Sequence, residues 1–402
     1  MSDPGGVVVD RRRAWTMLAG LWLLVVGAGA YEIVPASVAP LIRDGMGVGP
    51  TWASALVSVM FAVAVVGSIP IGVGADRVDT RKAILAAAAT LVVAGVWGWL
   101  AASRGEFGSL LLSRVFGAAG FTALWNVGAA AVGRAFPADV RATAIATFST
   151  SGPAGFGVGQ LTGPLVAAWL GWEWTFGVYG VFVLAGLAIY LPASVGLSLK
   201  PDDEPLPGLA EFRGVLADRR LWHVSALAFL AYALYLFVNS WMPTYLTEGL
   251  GVSLAASGAL TGVFALVGVL SRVSGGALSD RLFGTRRRPV VLISFVAATP
   301  LVAALGLVEF LPVLVLALVG AGFFVQFTLG LSLAYARELV AEGVATTAIA
   351  VATAVSLAGA FVSPIAAAAI FERTGSFAPT FYYAVGLAVL GVALSWSAPE
   401  AE

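Results

Sequence analysis

Gly72-Val-Gly-Ala-Asp76-Arg77-Val-Asp79-Thr-Arg81-Lys82 closes one apolar run, and Gly276-Ala-Leu-Ser-Asp280-Arg281-Leu-Phe-Gly284-Thr-Arg286-Arg287 closes another. The two stretches lie 204 positions apart, the distance from Asp76 to Asp280. Sliding the chain on itself by that offset superposes Tyr31 to Arg77 on Tyr235 to Arg281 without a gap, and matches Gly45, Gly47, Leu56 and Gly72 with Gly249, Gly251, Leu260 and Gly276. The same offset pairs Thr143-Ala144-Ile145-Ala146 with Thr347-Ala348-Ile349-Ala350. Scattered Ala and Val identities arise in any low-complexity chain, but aligned Gly-x-x-x-Asp-Arg runs do not. The pattern predicts a duplicated unit.

The material between these loops is apolar. Of 402 residues, 59% are hydrophobic and 11% charged, against roughly 25% charged in an ordinary soluble domain. Lys plus Arg and Asp plus Glu are both 22, so no basic field recruits nucleic acid. Cysteine is absent and His223 is the single histidine, which argues against a metal cluster, a thiol nucleophile or a resident cofactor. A bilayer core takes about 20 apolar residues per helix. Spans are expected at 14–37, 52–74, 83–101, 108–133, 142–168 and 174–195, then at 221–243, 253–275, 289–307, 313–333, 345–370 and 379–397.

Basic residues orient these spans. Arg11 to Arg13, Arg77, Arg81, Lys82, Arg134, Arg141, Lys200, Arg213, Arg219, Arg220, Arg281, Arg286 to Arg288 and Arg337 fall on one side, against Arg43, Arg104 and Arg373 on the other. The bias predicts a multi-pass protein of the cell membrane with both termini cytoplasmic. Arg11 to Arg13, an apolar run and Ala28-Gly29-Ala30 imitate a cleaved signal peptide. Cleavage would break the repeat, so the first span is retained. The expected fold class is an all-α membrane protein of twelve transmembrane helices in two six-helix bundles: residues 1–195, a charged cytoplasmic linker at 196–220, and residues 221–402. Transporters are commonly built from such repeats, with the site at their interface.

The doubled loop resembles the signature of the major facilitator superfamily. Arg114 with Gly117 and Gly120, Gly159-x-x-x-Gly163-Pro164, and Gly171-Trp172-Glu173-Trp174-Thr175-Phe176 resemble further motifs of that family. Asp79 stands where the family usually has Gly, the second loop has one extra residue, and Ala167-Ala168 replaces a Gly of the antiporter motif to which Gly159, Gly163 and Pro164 are similar. The resemblance implies two bundles rocking about a central cavity lined by the first, fourth, seventh and tenth helices. It also implies a gating role for Gly72, Asp76, Arg77, Arg81, Gly276, Asp280 and Arg281. An Asp beside Arg at a helix end can pair with basic neighbours and with the positive end of another helix, although such charges also simply mark a membrane face.

Polar groups inside spans mark the expected pathway. Glu32 is the one acid placed within hydrocarbon, where an isolated charge costs about 2.5 to 3.5 kcal/mol or more. Tyr232, Tyr235 and Asn239 fall within about 60° of one another on a helix and form one stripe. Arg114, Trp125 and Gln326 complete the pathway set, with hydrogen bonding between helices as the alternative for Gln160 and Gln326. Asn126 lies about 120° from Arg114 and is expected to bond a neighbouring helix. Arg272 is expected to snorkel to the inner surface, with a position facing the pathway as the alternative. Glu32 and Arg114 both fall in the outer half of the core and are expected to meet, a change in their separation loading and releasing a proton on Glu32, with a static pair between the first and fourth helices as the alternative.

These residues predict a secondary active transporter, working as a monomer in the lipid bilayer, that moves a small-molecule substrate with protons. No Gly-x-x-x-x-Gly-Lys-Ser/Thr loop supports ATP hydrolysis. Trp241-Met242-Pro243-Thr244-Tyr245-Leu246 is similar to organic-anion uptake branches, whereas the antiporter-like motif suggests efflux of amphipathic compounds. A nitrate carrier is not expected, because the second span lacks an arginine. The competing classes are a non-transporting receptor, which would usually carry a soluble output domain, and a membrane-embedded enzyme, which would need a clustered catalytic set.

Overall fold

The computed structural model describes residues 11–76, 78–197, 199, 209–284, 286–341 and 344–400. Fifteen α-helices follow in chain order: α1 (Arg11–Ser37), α2 (Ala39–Met46), α3 (Pro50–Asp76), α4 (Thr80–Ser103), α5 (Phe107–Ala135), α6 (Ala138–Ser149), α7 (Ser151–Leu170), α8 (Trp174–Ser194), α9 (Leu209–Ala217), α10 (Arg219–Thr244), α11 (Leu254–Leu282), α12 (Arg288–Leu307), α13 (Leu311–Glu338), α14 (Ala345–Thr374) and α15 (Phe377–Trp396). A π-helical turn at Tyr245–Gly249 extends α10.

Eleven of the described helices are long and apolar enough to cross a membrane. The remaining crossing is the fifth, made of α6 and α7 and interrupted at Thr150 just before Ser151-Gly152-Pro153. Its Gly, Pro and Gln residues lower its hydropathy because it packs on protein. A Cβ on Gly155 would lie 2.7 Å from the Val26 carbonyl oxygen, and one on Gly159 2.8 Å from that of Ala30. Gly163 meets the side chains of Val34 and Ser37. The Gly155, Gly159 and Gly163 stripe, at four-residue spacing, welds α7 to α1.

Local sequence sets the ends. Asp79, the departure from the signature loop, caps α4 by accepting from the amides of Arg81 (3.0 Å) and Lys82 (3.2 Å). Asp218 caps α10 by accepting from the Arg220 amide at 2.8 Å, so this helix begins at Arg219, inside the expected linker, and α9 occupies part of the linker as well. Exposed tryptophans sit at span ends, with Trp15, Trp222 and Trp396 toward the face that holds the described termini and Trp52, Trp169 and Trp174 toward the other. Their amphipathic rings suit the two membrane interfaces.

One buried core is built entirely from residues between Ala14 and Leu199. A second spans Val224 to Ala398 and takes in Ile33, Ala36, Val57, Phe61 and Phe156 from the first half. The seams between the halves are α3 against α14 and α7 against α11, with α1 touching α10. Within the first half α4 and α8 approach so closely that a Cβ on Gly95 would lie 2.6 Å from the Gly180 Cα. Gly95→Val should therefore destabilise by about 1 to 3 kcal/mol through overpacking, read as a lower midpoint of thermal unfolding in detergent. Gly108→Val, which meets nothing within 4 Å, should leave the midpoint unchanged.

Candidate functional site

Two prolines organise the centre of the molecule. Pro35 lies inside α1 and has no N–H, so the Tyr31 carbonyl four residues earlier loses its helical donor. Arg114 supplies one. Its Nη1 donates to Tyr31 O at 2.8 Å, its Nη2 to Glu32 O at 2.7 Å and its Nε to Leu56 O at 2.8 Å. The guanidinium is fully buried and lies 4.3 Å over the Tyr31 ring. Arg114 thus ties α5 to α1 and α3 through backbone oxygens. The expected pairing with the Glu32 carboxylate is not formed: each Arg114 nitrogen donates to a carbonyl, and no ion pair joins the two side chains among the described residues.

Pro243 does the same in α10, freeing the Asn239 carbonyl. Gln160 Nε2, from α7 in the other half, donates to it at 2.5 Å. Asn239 Nδ2 in turn donates to Tyr235 O at 2.9 Å, and the amide oxygens of both Asn239 and Gln160 are buried without a partner. Tyr235 stacks between Phe156 (5.4 Å, 18°) and Phe264 (5.9 Å, 26°), with Tyr232 edge-on at 6.2 Å. Glu32, 2% exposed, lies within electrostatic reach of both tyrosines.

Arg272 completes this cluster. Its guanidinium carbon lies 5.7 Å from the Tyr235 ring centre, its Nε is buried without a partner, and Tyr232 lies beside it. Its Nη1 and the Trp125 ring both close over Gly152, 3.6 and 3.7 Å from where a Cβ would stand. Snorkelling fails for a geometric reason: α11 runs ten residues beyond Arg272, to Leu282, about 15 Å of helix. The signal was present in the sequence, because Phe264, Gly268 and Arg272 share a four-residue spacing and hence one face.

Of the other polar residues within spans, Gln326 and Asn126 bond backbone carbonyls of neighbouring helices. Gln326 Nε2 donates to Gly322 O (3.1 Å), Phe264 O (3.2 Å) and Ala265 O (3.5 Å) and joins α13 to α11. Asn126 Nδ2 bonds Ser68 O of α3 at 3.4 Å. Trp125 packs 5.4 Å from Phe148 and walls the site. Arg81 grips the end of α8, donating from Nη2 to Ser194 O at 2.5 Å and to Leu197 O at 2.9 Å, and Arg288 donates to the Trp396 carbonyl at the end of α15. Arg77 lies outside the described residues. Gly72 and Asp76 end α3, and Gly276, Asp280 and Arg281 end α11, with their side chains likewise outside the description.

The family model described as Major Facilitator Superfamily matches residues 21–364. The chain belongs to this family. It is 27% identical over 305 residues to a probable nitrate/nitrite transporter, NarK2, of Mycobacterium tuberculosis, covering 73% of this chain and 72% of that one. It is 30% identical over 387 residues to a chloramphenicol resistance protein of Streptomyces lividans, covering 92% and 93%. Its fold is similar to the crystal structure of a bacterial homologue of the human lysosomal transporter Spinster in an inward-facing, occupied conformation, with a TM-score of 0.77 at 19% identity over 98% and 97% of the two chains. The chain is therefore a multi-pass membrane transporter, and not an enzyme.

Arg114→Leu would leave the Tyr31 carbonyl buried and unpaired, at about 1 to 3 kcal/mol, and would remove the second donor of the Glu32 and Leu56 carbonyls. Its folded yield, measured as the monodisperse fraction on size exclusion, should collapse, and Arg114→Lys should recover part of it.

Proposed function

We propose that this superfamily member carries a small anion on Arg272 by alternating access and couples that movement to protons through Glu32. The observation that carries the reading is Arg272 itself, a cation turned inward among Tyr232, Tyr235 and Trp125 with an unpartnered Nε. Arg114 suits this role less well, because each of its three nitrogens already donates to a backbone carbonyl. The likeness to nitrate/nitrite transporters supports a small anion, and returns nitrate to the candidates despite the absence of arginine from α3. A buried acid within reach of the same tyrosines supports Glu32 as the proton carrier. An anion held beside it alters its charge balance.

Export of an amphipathic compound is the second reading, favoured by the likeness to a chloramphenicol resistance protein over nearly the whole chain. Counterflow in proteoliposomes with nitrate, nitrite, small carboxylates and chloramphenicol separates the two. Under the first reading Arg272→Gln loses anion exchange and Arg272→Lys keeps part of it. Anion exchange at the parent rate in Arg272→Gln sinks the assignment.

Glu32→Gln should abolish accumulation driven by a pH gradient yet retain exchange. If this variant still accumulates the anion against its gradient, the proton travels by another group.

The halves 1–195 and 221–402 are read as two moving bodies in one monomeric transporter, joined by the 196–220 linker, with the termini in the cytoplasm. The absence of native cysteine allows a direct check of orientation. A cysteine at Ser397 should label from the cytoplasmic side and one at Gly105 from outside, and the reverse result inverts the assignment.

A further inference from the structure

On the face opposite the described termini, polar bonds cross between the halves. Arg43 Nη1, from α2, meets Glu248 Oε1, from the π-turn after α10, at 2.7 Å. Glu372, near the end of α14, accepts from the Thr51 amide at 2.9 Å and from the Thr51 hydroxyl at 2.7 Å. Thr51 stands in the first turn of α3, where free amides and the helix dipole favour an anion. The residue before that helix is Gly49, which has no side chain to cap it, and a Cβ there would strike the Glu372 carboxylate. Glu372 therefore caps a helix of the other half, in place of a local cap. At its own end of α14 the same carboxylate faces the unfavourable pole of a dipole, so the cross-half position is where its charge is best stabilised.

The internal repeat shows that this fastening is one-sided. At the 204-residue offset Thr51 corresponds to Ala255 and Glu372 to Ala168. The α7–α11 seam thus has alanines where the α3–α14 seam has its capping pair. It is built instead from small residues: a Cβ on Gly262 would lie 3.2 Å from the Gly157 carbonyl oxygen. Beneath the Arg43–Glu248 pair lies a cavity of about 20 Å³, room for one water, lined from both halves by residues including Ala36, Arg43, Ser54, Ser240, Trp241 and Thr244. On the terminal face, the bonds from Arg11 to Asp139, Arg81 to Ser194, Arg220 to Leu339 and Arg287 to Glu338 each join residues of one half.

We propose that Glu372 with Thr51, and Arg43 with Glu248, form a latch that holds this face closed, and that the face opens by parting the α3–α14 seam while the α7–α11 seam acts as the hinge. The latch bonds exist only while the face is shut, so their loss shifts the population toward the state open there. Ser240 lines the cavity under the latch and is 7% exposed, and Ser240→Cys in this cysteine-free chain reports opening. In sealed vesicles, a membrane-impermeant maleimide is added on the side from which Gly105→Cys labels. Glu372→Gln and Arg43→Glu should each speed labelling of Ser240→Cys several-fold, and adding Glu248→Arg to Arg43→Glu should restore the slow rate. Thr51→Val, which removes only the hydroxyl bond, should give a smaller increase and reads the same contact if Glu372→Gln fails to fold. Unchanged labelling in folded single variants, or a charge-swapped pair that labels as fast as Arg43→Glu alone, overturns the latch.

Discussion

The Tyr31 carbonyl has no helical donor, and the centre of this transporter is organised around that fact. In hydrocarbon no water satisfies a stray backbone group, so a proline inside a spanning helix obliges some other residue to supply the missing hydrogen bond. Pro35 creates the vacancy, and Arg114 fills it together with the carbonyls of Glu32 and Leu56. An arginine suits the task because its fork presents several donors in fixed directions. Three helices of the first half are thereby pinned at one buried point. The charge that the sequence offers as a substrate ligand is used as a fastener.

That use decides what remains for transport. With Arg114 occupied, Arg272 is left as the inward-turned cation of the site, and it meets aromatic rings from one half and Trp125 and Gly152 from the other. A cation over a ring gains by cation–π attraction without using up its hydrogen-bond donors. Arg272 is therefore held against the rings while its Nε has no partner among the described residues, which is the opening the proposed anion site uses. Glu32, whose backbone is fixed by Arg114, keeps its carboxyl without a hydrogen-bonded partner among the described residues. A fixed main chain with an unpaired acid is the arrangement that the proposed proton carriage calls for.

The crossings were legible in the sequence because apolar runs of span length and a gap-free repeat leave few alternatives. Helix ends were legible to within a few residues, the start of α10 included, where the Asp218 cap draws it two residues into the linker, except that α11 runs on to Leu282 past the expected 275. The polar interior was legible in composition but not in assignment. Helical phase placed Tyr232, Tyr235 and Asn239 on one stripe, and the structure has Tyr232 and Tyr235 in the cluster, with the Asn239 side chain bonded to the Tyr235 carbonyl. Phase cannot say whether an arginine meets a cavity or a vacant carbonyl, because that depends on a proline in another helix. The Arg114 assignment therefore missed Pro35, and the Arg272 assignment missed the length of α11 still to come. Gln326 carried no such signal, since its carbonyl partners on α11 lie some sixty residues away.

The repeat copies the fold but not the way its interior is satisfied. Pro35 corresponds by offset to Asn239, and Pro243 to Ala39, so the two vacancies fall at inequivalent carbonyls. At the equivalent positions Tyr31 and Tyr235, the first carbonyl is bonded by an arginine of its own half and the second by Asn239 one helical turn along. The Asn239 carbonyl is then left to Gln160, which belongs to the other half. The first half thus closes its backbone account with its own side chains, whereas the second borrows a donor across the interface between the halves. A bond borrowed across that interface is sensitive to how the halves sit, as a bond within one half is not. The cluster of Gln160, Asn239 and Tyr235 accordingly joins the seam between the halves to the aromatic stack that supports Arg272.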